Sequence, residues 1–115
     1  MNDLIIYQTE IGSLELKSDS VNETIWVTRM QMAEIFNVNP QAISKHILNI
    51  YKDGELNKLA TSSKMELVQE EAGRMVKRQV DFYNLEMVIS VGYRVNSKMA
   101  IQSLKDYLVN FKLAS

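Results

Sequence analysis

The chain has 115 residues, 46% of them apolar, with 13 Lys and Arg against 14 Asp and Glu, so we expect a single domain over residues 1–115 with a core of its own. It contains no Cys and one His, which excludes thiolate catalysis, disulfide scaffolds and the His/Cys ligand sets of most transition-metal sites. No apolar run reaches the roughly 18 residues of a membrane span, and the start lacks the features of a secretory signal. We therefore expect a cytoplasmic protein with no cofactor, no bound metal and no membrane partner.

Charge is unevenly distributed along the chain. Residues 1–28 hold one Lys against five carboxylates, a net charge of −4, whereas residues 74–115 hold seven basic and three acidic side chains, a net charge of +4. Such asymmetry indicates a molecule with one face suited to phosphate groups. A solvated surface whose charges segregate by chance explains it equally well.

The first part of the chain has the pattern of short strands. Residues 4–7, 14–17 and 24–27 are rich in β-branched or alternating apolar side chains, and turn-forming residues separate them. This pattern predicts a β-meander over residues 1–27.

The period of the apolar residues becomes helical after this meander, and residues 28–50 read as two helices joined by a tight turn, a helix-turn-helix. Thr28 and Gln31 have the spacing of a capping box at the start of the first helix. Asn37 stands where the turn needs a left-handed residue, a conformation that Asn tolerates better than most types. Asn39 is the predicted cap of the second helix, and Pro40, the chain's single proline, occupies its first turn.

The second helix has an apolar and a polar side. At 100° per residue, Ile43, Ile47 and Ile50 lie on one side together with His46, which we interpret as a core histidine. A polar ridge lies opposite, as on a recognition helix that reads base edges in the major groove. The predicted base-reading residues are Gln41, Ser44 and Lys45. The predicted phosphate contacts of this region are Arg29 and Lys52.

Residues 64–83 read as a β-hairpin whose strands, 64–70 and 74–83, flank Glu71-Ala72-Gly73. A hairpin placed soon after a helix-turn-helix is typical of a wing. Its predicted phosphate contacts are Arg74, Lys77 and Arg78, although strand alternation puts Lys77 on one face and the two arginines on the other. Glu70 and Glu71 oppose phosphate binding or pair across the strands with Arg74, so contact between wing and DNA stays open.

The C-terminal part, residues 85–112, predicts two helices over residues 85–90 and 98–112, with Asn84 and Ser97 as caps. The second helix carries an apolar stripe of Ile101, Leu104, Leu108 and Phe111. Core packing explains this stripe. The alternative is the seam of a homodimer, which would double the readout of a DNA site.

Nothing in the sequence has the pattern of an enzyme. The four glycines are isolated, so no phosphate-binding loop is present. Ser44 and His46 point about 200° apart on one helix and cannot act as nucleophile and base. We therefore expect no catalytic residues.

Several strings carry a family resemblance: 2–9, 25–28 running into 31–36, 43–50 with 54–56, and 83–95 followed by Ser97-Lys98. The most distinctive part is Val88-Ile-Ser-Val-Gly-Tyr-Arg-Val95. In these strings the chain resembles the RhuM virulence proteins of bacteria. The resemblance implies a DNA-binding protein similar in outline to phage regulators and encoded on mobile islands or prophages, and some relatives are fused or paired with Fic/Doc-type toxin domains. After Lys98 the chain departs from the family pattern, because an aromatic segment is missing before Leu104-Lys-Asp-Tyr-Leu108.

The sequence as a whole predicts an α+β domain of the winged helix-turn-helix type. The predicted function is sequence-specific binding of double-stranded DNA, as a bacterial transcriptional regulator of a mobile element or island. The alternative is a protein-interaction module on the same fold, an adaptor or an antitoxin-like partner of a toxin, which the acidic residues 1–28 favour.

Overall fold

The structure, a computed structural model, describes residues 2–9 and 12–114, and for residues 2, 3, 107 and 110–114 it describes the backbone only. The elements in chain order are β1 (Asn2–Thr9), β2 (Gly12–Asp19), β3 (Thr24–Thr28), α1 (Arg29–Phe36), α2 (Pro40–Lys52), α3 (Lys58–Thr61), β4 (Ser62–Glu71), β5 (Arg74–Asn84), α4 (Leu85–Arg94) and α5 (Lys98–Ala114).

The strands of the described residues form one antiparallel sheet in the order β1-β2-β3-β5-β4. Helices α1 and α4 pack on its central strands. In β1, Ile5 and Tyr7 are buried while Leu4 and Ile6 are about half exposed, as expected of a sheet covered on one face. The predicted α+β class is therefore confirmed.

The predicted meander is present, but its strands are longer than the apolar runs that indicated it. β1 and β2 pair from Asn2↔Asp19 to Thr9↔Gly12. Their ends consist of polar residues such as Gln8 and Ser13, which hydropathy alone does not assign to a strand. Backbone pairing extends a strand past the residues that bury side chains.

The core lies between the sheet and the helices. Val27 of β3, Ile43 of α2, Val88 of α4 and Leu104 of α5 are all at most 1% exposed. Helices α4 and α5 approach closely at Gly92, where a Cβ atom would lie 2.6 Å from Cγ1 of Ile101. The space between these two helices therefore has no room for a side chain at position 92.

The apolar stripe of α5 serves this core in part. Ile101 and Leu104 are buried in it, and Leu108 is partly buried against it. The side chain of Phe111 lies outside the described residues. Because Ile101 and Leu104 are covered by their own chain, they are not available to a dimer seam.

Residues 53–63, to which the sequence pattern assigns no element, contain a short helix and the start of a strand. α3 is capped by Asn57, whose side chain accepts a hydrogen bond from the backbone N–H of Ala60 at 3.1 Å. Thr61 is buried, and β4 already begins at Ser62. One helical turn has no apolar periodicity to detect, which is why the sequence pattern missed it.

The predicted hairpin is present, with a turn one residue shorter than expected. Glu71 pairs with Arg74, so the turn consists of Ala72 and Gly73 alone, at φ angles of 53° and 80°. Two positive φ angles are the geometry of a type I′ turn. β5 joins β3 only through residues 82–84. Residues 64–81 therefore form a two-stranded extension, here called the arm, in which no residue is fully buried.

The last two helices occupy the predicted segments. Asn84 caps α4 as expected, accepting from the backbone N–H of Met87. α4 extends to Arg94, four residues beyond the predicted end. The added residues include Val91 and Gly92, which are buried against neighbouring elements.

Candidate nucleic-acid interface

The first helix of the candidate interface is held at both ends as the sequence predicts. The Thr28 side chain accepts from the backbone N–H of Gln31 at 3.1 Å, and Oε1 of Gln31 accepts from the backbone N–H of Thr28 at 3.0 Å. Asn37 ends α1 in the left-handed conformation, at φ 53° and ψ 51°. The chain then turns within three residues into α2. The capping box and the turn are both confirmed.

The start of α2 is fixed by two adjacent residues. Oδ1 of Asn39 accepts from the backbone N–H of Gln41 at 2.7 Å. Pro40 occupies the first helical position, where a backbone N–H would have no partner within the helix. The N-terminus of α2 therefore has a defined position relative to α1.

The two sides of α2 have the predicted orientation. Ile43, Ile47 and Ile50 are at most 6% exposed. The opposite side is a solvent-exposed row, here called the α2 ridge, formed by Gln41, Lys45, Leu48 and Lys52. It spans about 16 Å along the helix. α2 contains no carboxylate, so its own charged side chains are cations only.

Arg29 and Ser44 connect the two helices at the border of this ridge. Nη1 of Arg29, the first residue of α1, donates to the hydroxyl of Ser44 at 3.0 Å. The contact brings a predicted phosphate contact and a predicted base reader together on one surface. Because Ser44 is half-buried and already accepts this bond, it is less free to meet a base than Gln41 or Lys45.

Arg94 is a site residue that the sequence reasoning missed. This residue, near the end of α4, donates to Asp53 at 3.1 Å and to Glu55 at 3.0 Å, both directly after α2. The hydrogen bond to Glu55, and then that to Asp53, raise the pKa of Arg94 above its ordinary value. Arg94 thus balances two carboxylates beside Lys52 that would otherwise repel phosphate. It lies about 40 residues away along the chain, and no local pattern indicates such a pair.

The charges of the arm are largely matched within the arm itself. Arg78 donates two hydrogen bonds to Glu71, at 2.7 Å from Nε and 2.6 Å from Nη2, and these bonds lower the pKa of the Glu71 carboxyl. Lys64 lies 2.9 Å from Asp81. The predicted partner of Glu71 was Arg74, its direct neighbour across the strands. The structure instead joins it to Arg78 on the same face of the arm.

The predicted phosphate contacts fall into two groups on separate elements. Arg29 and Lys52 belong to the helix pair. Arg74, Lys77 and Arg78 belong to the arm, where the strand register puts Lys77 on the face opposite the two arginines, as predicted. All five side chains are exposed. Arg78 differs from the others because its guanidinium is engaged by Glu71.

The described residues offer no metal-binding group, since no three His, Asp or Glu side chains among them come together. His46, on α2, is partly buried beside the isoleucines.

Among the residues that the structure describes, no helix has both the length and the hydrophobicity to cross a bilayer.

Comparison with known proteins gives one match. The chain matches no curated protein and no solved structure. Residues 60–110 match the sequence profile of the Virulence protein RhuM family. This segment contains β4, β5, α4 and most of α5, continues past Lys98, and leaves out α1 and α2. Over these residues, which are fewer than half of the chain, the match supports the resemblance to this family that the sequence indicates.

Proposed function

We propose that this protein is a sequence-specific, non-enzymatic DNA-binding regulator of the winged helix-turn-helix type, with α2 as its recognition helix and the arm as its wing. The observation that carries the proposal is the orientation of α2. Its isoleucines are buried while Gln41, Lys45, Leu48 and Lys52 face solvent. A helix that is anchored on one side and presents amide, ammonium and apolar groups on the other can enter a major groove.

Each group on the α2 ridge has a partner chemistry in the groove. The Gln41 amide matches the N6 and N7 pattern of adenine, and the Lys45 ammonium can donate to guanine O6 or N7. Leu48, which is 65% exposed, can contact a thymine methyl group. Arg29 lies at the border of this row through its bond to Ser44, where it can contact a phosphate and fix the register of the helix.

The arm contributes phosphate contacts of a weaker kind. Arg74 and Lys77 are exposed, and no ion pair within the described residues involves them. Arg78 and Lys64 already face carboxylates, so a phosphate would have to compete with Glu71 or Asp81. We therefore assign orientation of the complex to the arm and base reading to α2.

A selection of bound sites from a random pool of duplex DNA tests the proposal directly. We expect an enriched motif and, for the enriched duplex, an affinity that falls with salt. With roughly four to six neutralised phosphates per monomer, the slope of log K against log salt should be about −4 to −5. No enrichment, together with no binding to random duplex at low salt, would contradict the proposal.

Substitutions on the α2 ridge separate base reading from general attraction. We expect Lys45→Ala or Gln41→Ala to lose about 1–3 kcal/mol on the selected site and much less on random duplex. The matched control is Lys98→Ala, an exposed lysine in the first turn of α5, which should leave the preference unchanged. An equal loss on all duplexes would make Lys45 a phosphate contact.

A second candidate function is a protein-interaction module, an adaptor or antitoxin-like partner of another protein. It is favoured by the arm, whose four cations equal its four carboxylates in number, and by the net charge of −4 over residues 1–28. This function predicts no measurable attraction to duplex DNA even at low salt, which the same titration measures.

A further inference from the structure

The outer edge of β4 is exposed in the described part of the chain. β4 is the last strand of the sheet and pairs with β5 alone. In a two-residue hairpin the residues that flank the turn, here Glu71 and Arg74, form a hydrogen-bonded pair, and such pairs alternate along the strands. The even-numbered residues 62–70 therefore direct their backbone N–H and C=O groups away from β5. This edge can accept another strand.

No side chain on either face of the arm is fully buried. On one face Met65 and Leu67 of β4 lie with Val76 and Val80 of β5, and all four side chains are only partly buried. A two-stranded ribbon is marginally stable in water, whereas a third strand and a shared apolar face stabilise it. The arm therefore has the composition of a two-stranded ribbon that a further strand would stabilise.

We propose that this partner is β4 of a second copy of the chain, paired antiparallel about a two-fold axis at Leu67. In this register Lys64 faces Glu70 of the second copy, twice by symmetry, and Glu66 faces Val68. Opposite charges across a strand pair stabilise it, and like charges oppose it. The registers centred on Glu66 or Val68 each place glutamates opposite glutamates and are therefore disfavoured.

One competing register also joins opposite charges. Centred on Met65, it places Lys64 opposite Glu66 of the second copy. It pairs residues 62–68 only, because α3 ends at Thr61, whereas the register centred on Leu67 pairs residues 63–71. Both registers pair four even-numbered residues of each copy, but the register centred on Met65 needs the backbone N–H of Ser62, which already donates to the Lys58 carbonyl. The equal numbers of positive and negative side chains in the arm leave two copies without net repulsion.

This inference does not depend on DNA binding, although a dimer would give the proposed regulator two copies of α2. Dimerisation is measured without DNA, and base reading is measured with the α2 ridge variants. Failure of one proposal is therefore distinguishable from failure of the other.

The absence of cysteine makes crosslinking a specific test. We expect Leu67→Cys to form a disulfide-linked dimer on mild oxidation of the full chain, because non-hydrogen-bonded cross-strand neighbours have Cα atoms about 4.5 Å apart. The matched control is Gln69→Cys on the same face. Its counterpart lies four positions away, about 14 Å along the strand, so its crosslinking should be at least tenfold slower.

The outcomes decide both the dimer and its register. Equal rates for Leu67→Cys and Gln69→Cys would show random collision and overturn the proposal. Faster crosslinking of Met65→Cys than of Leu67→Cys would overturn the register. Thermal unfolding followed by Trp26 fluorescence checks that each variant folds.

Charge reversal gives an independent measurement. In the Leu67→Cys background, Glu70→Lys and Lys64→Glu should each slow crosslinking about tenfold, because each puts like charges opposite one another between the two copies. Lys64→Glu also removes the ion pair with Asp81 in its own arm, whereas Glu70→Lys leaves that pair intact. An equimolar mixture of the two variants restores both attractive pairs, so crosslinking should recover as a mixed dimer. Unchanged rates for the single reversals, or no recovery on mixing, would overturn the pairing of position 64 with position 70.

Discussion

Helix α2 and the arm are the two regions that the sequence offers for DNA contact, and they are held in place differently. α2 buries three isoleucines in the core and begins at a side-chain cap and a proline. The arm joins the body of the sheet through residues 82–84 alone and buries no side chain fully. The position of α2 is therefore determined by the whole core, whereas the shape of the arm depends on its own turn and cross-strand pairs. Base reading needs the first kind of support.

The largest expected effect lies in the support of α2. Ile43→Ala should lower the free energy of unfolding by about 2–5 kcal/mol, because Ile43 is fully buried and its loss leaves a cavity. On the exposed side of the same helix, Leu48→Ala should change it by no more than about 0.5 kcal/mol. Urea unfolding measures both. Similar values for the two variants would contradict the anchored orientation of α2.

The next effect tests how tightly the layer behind α2 is packed. Gly92→Ala should cost about 1–3 kcal/mol, because the new Cβ would lie 2.6 Å from Cγ1 and 2.8 Å from Cδ1 of Ile101. Adding Ile101→Val, which removes Cδ1, should recover part of the loss. Strictly additive costs in the double variant would show that the two residues do not share this space.

A smaller effect should be confined to the arm. Ala72 has a φ of 53° in the turn, a conformation that costs an L residue about 1–2 kcal/mol. Ala72→Asn should stabilise the turn by about 0.5–1 kcal/mol, since Asn followed by Gly is preferred in type I′ turns. Amide hydrogen exchange should slow in β4 and β5 and stay unchanged in α2. Valine tolerates a positive φ poorly, so Ala72→Val should accelerate hydrogen exchange of the same amides.

The smallest expected effect is a pH response outside both regions. The Asn22 side chain, then the Trp26 indole and the Asn22 backbone N–H, donate to Asp19 and lower the pKa of its carboxyl from 3.8 to about 2. Because the pKa is lower in the folded than in the unfolded state, the ionised carboxyl stabilises the folded protein at pH values above the unfolded-state pKa. This stabilisation is lost as the pH falls through about 2. Trp26, the chain's single tryptophan, should report it by fluorescence. Asp19→Asn should remove this step, and a step that persists would assign it to another carboxyl.

The helix pair was predictable because its signals are local. A capping box, a left-handed Asn, a cap before proline and an apolar row at helical spacing each act within a few residues. The same holds for the hairpin, where strand alternation correctly predicted that Lys77 lies on one face and that Arg74 and Arg78 lie on the other. These features needed no knowledge of the rest of the fold.

The remaining features depend on residues that only the fold brings together. Arg94 meets Asp53 and Glu55 because α4 packs against α2. Glu71 bonds to Arg78, four positions beyond its facing residue Arg74, because the long Arg78 side chain extends along the face of the arm to reach it. Sequence spacing shows which residues face one another across the strands, but it does not show which cation a carboxylate will bind.

The bond from Arg94 to the segment after α2 has a mechanical consequence. α4 lies within the family-matched segment, residues 60–110, whereas α2 lies outside it. Through this guanidinium and the packing of α4 on α2, a shift of the C-terminal helices would carry the far end of α2 with them. The orientation of the proposed reading helix is thus tied to the segment that matches the family profile.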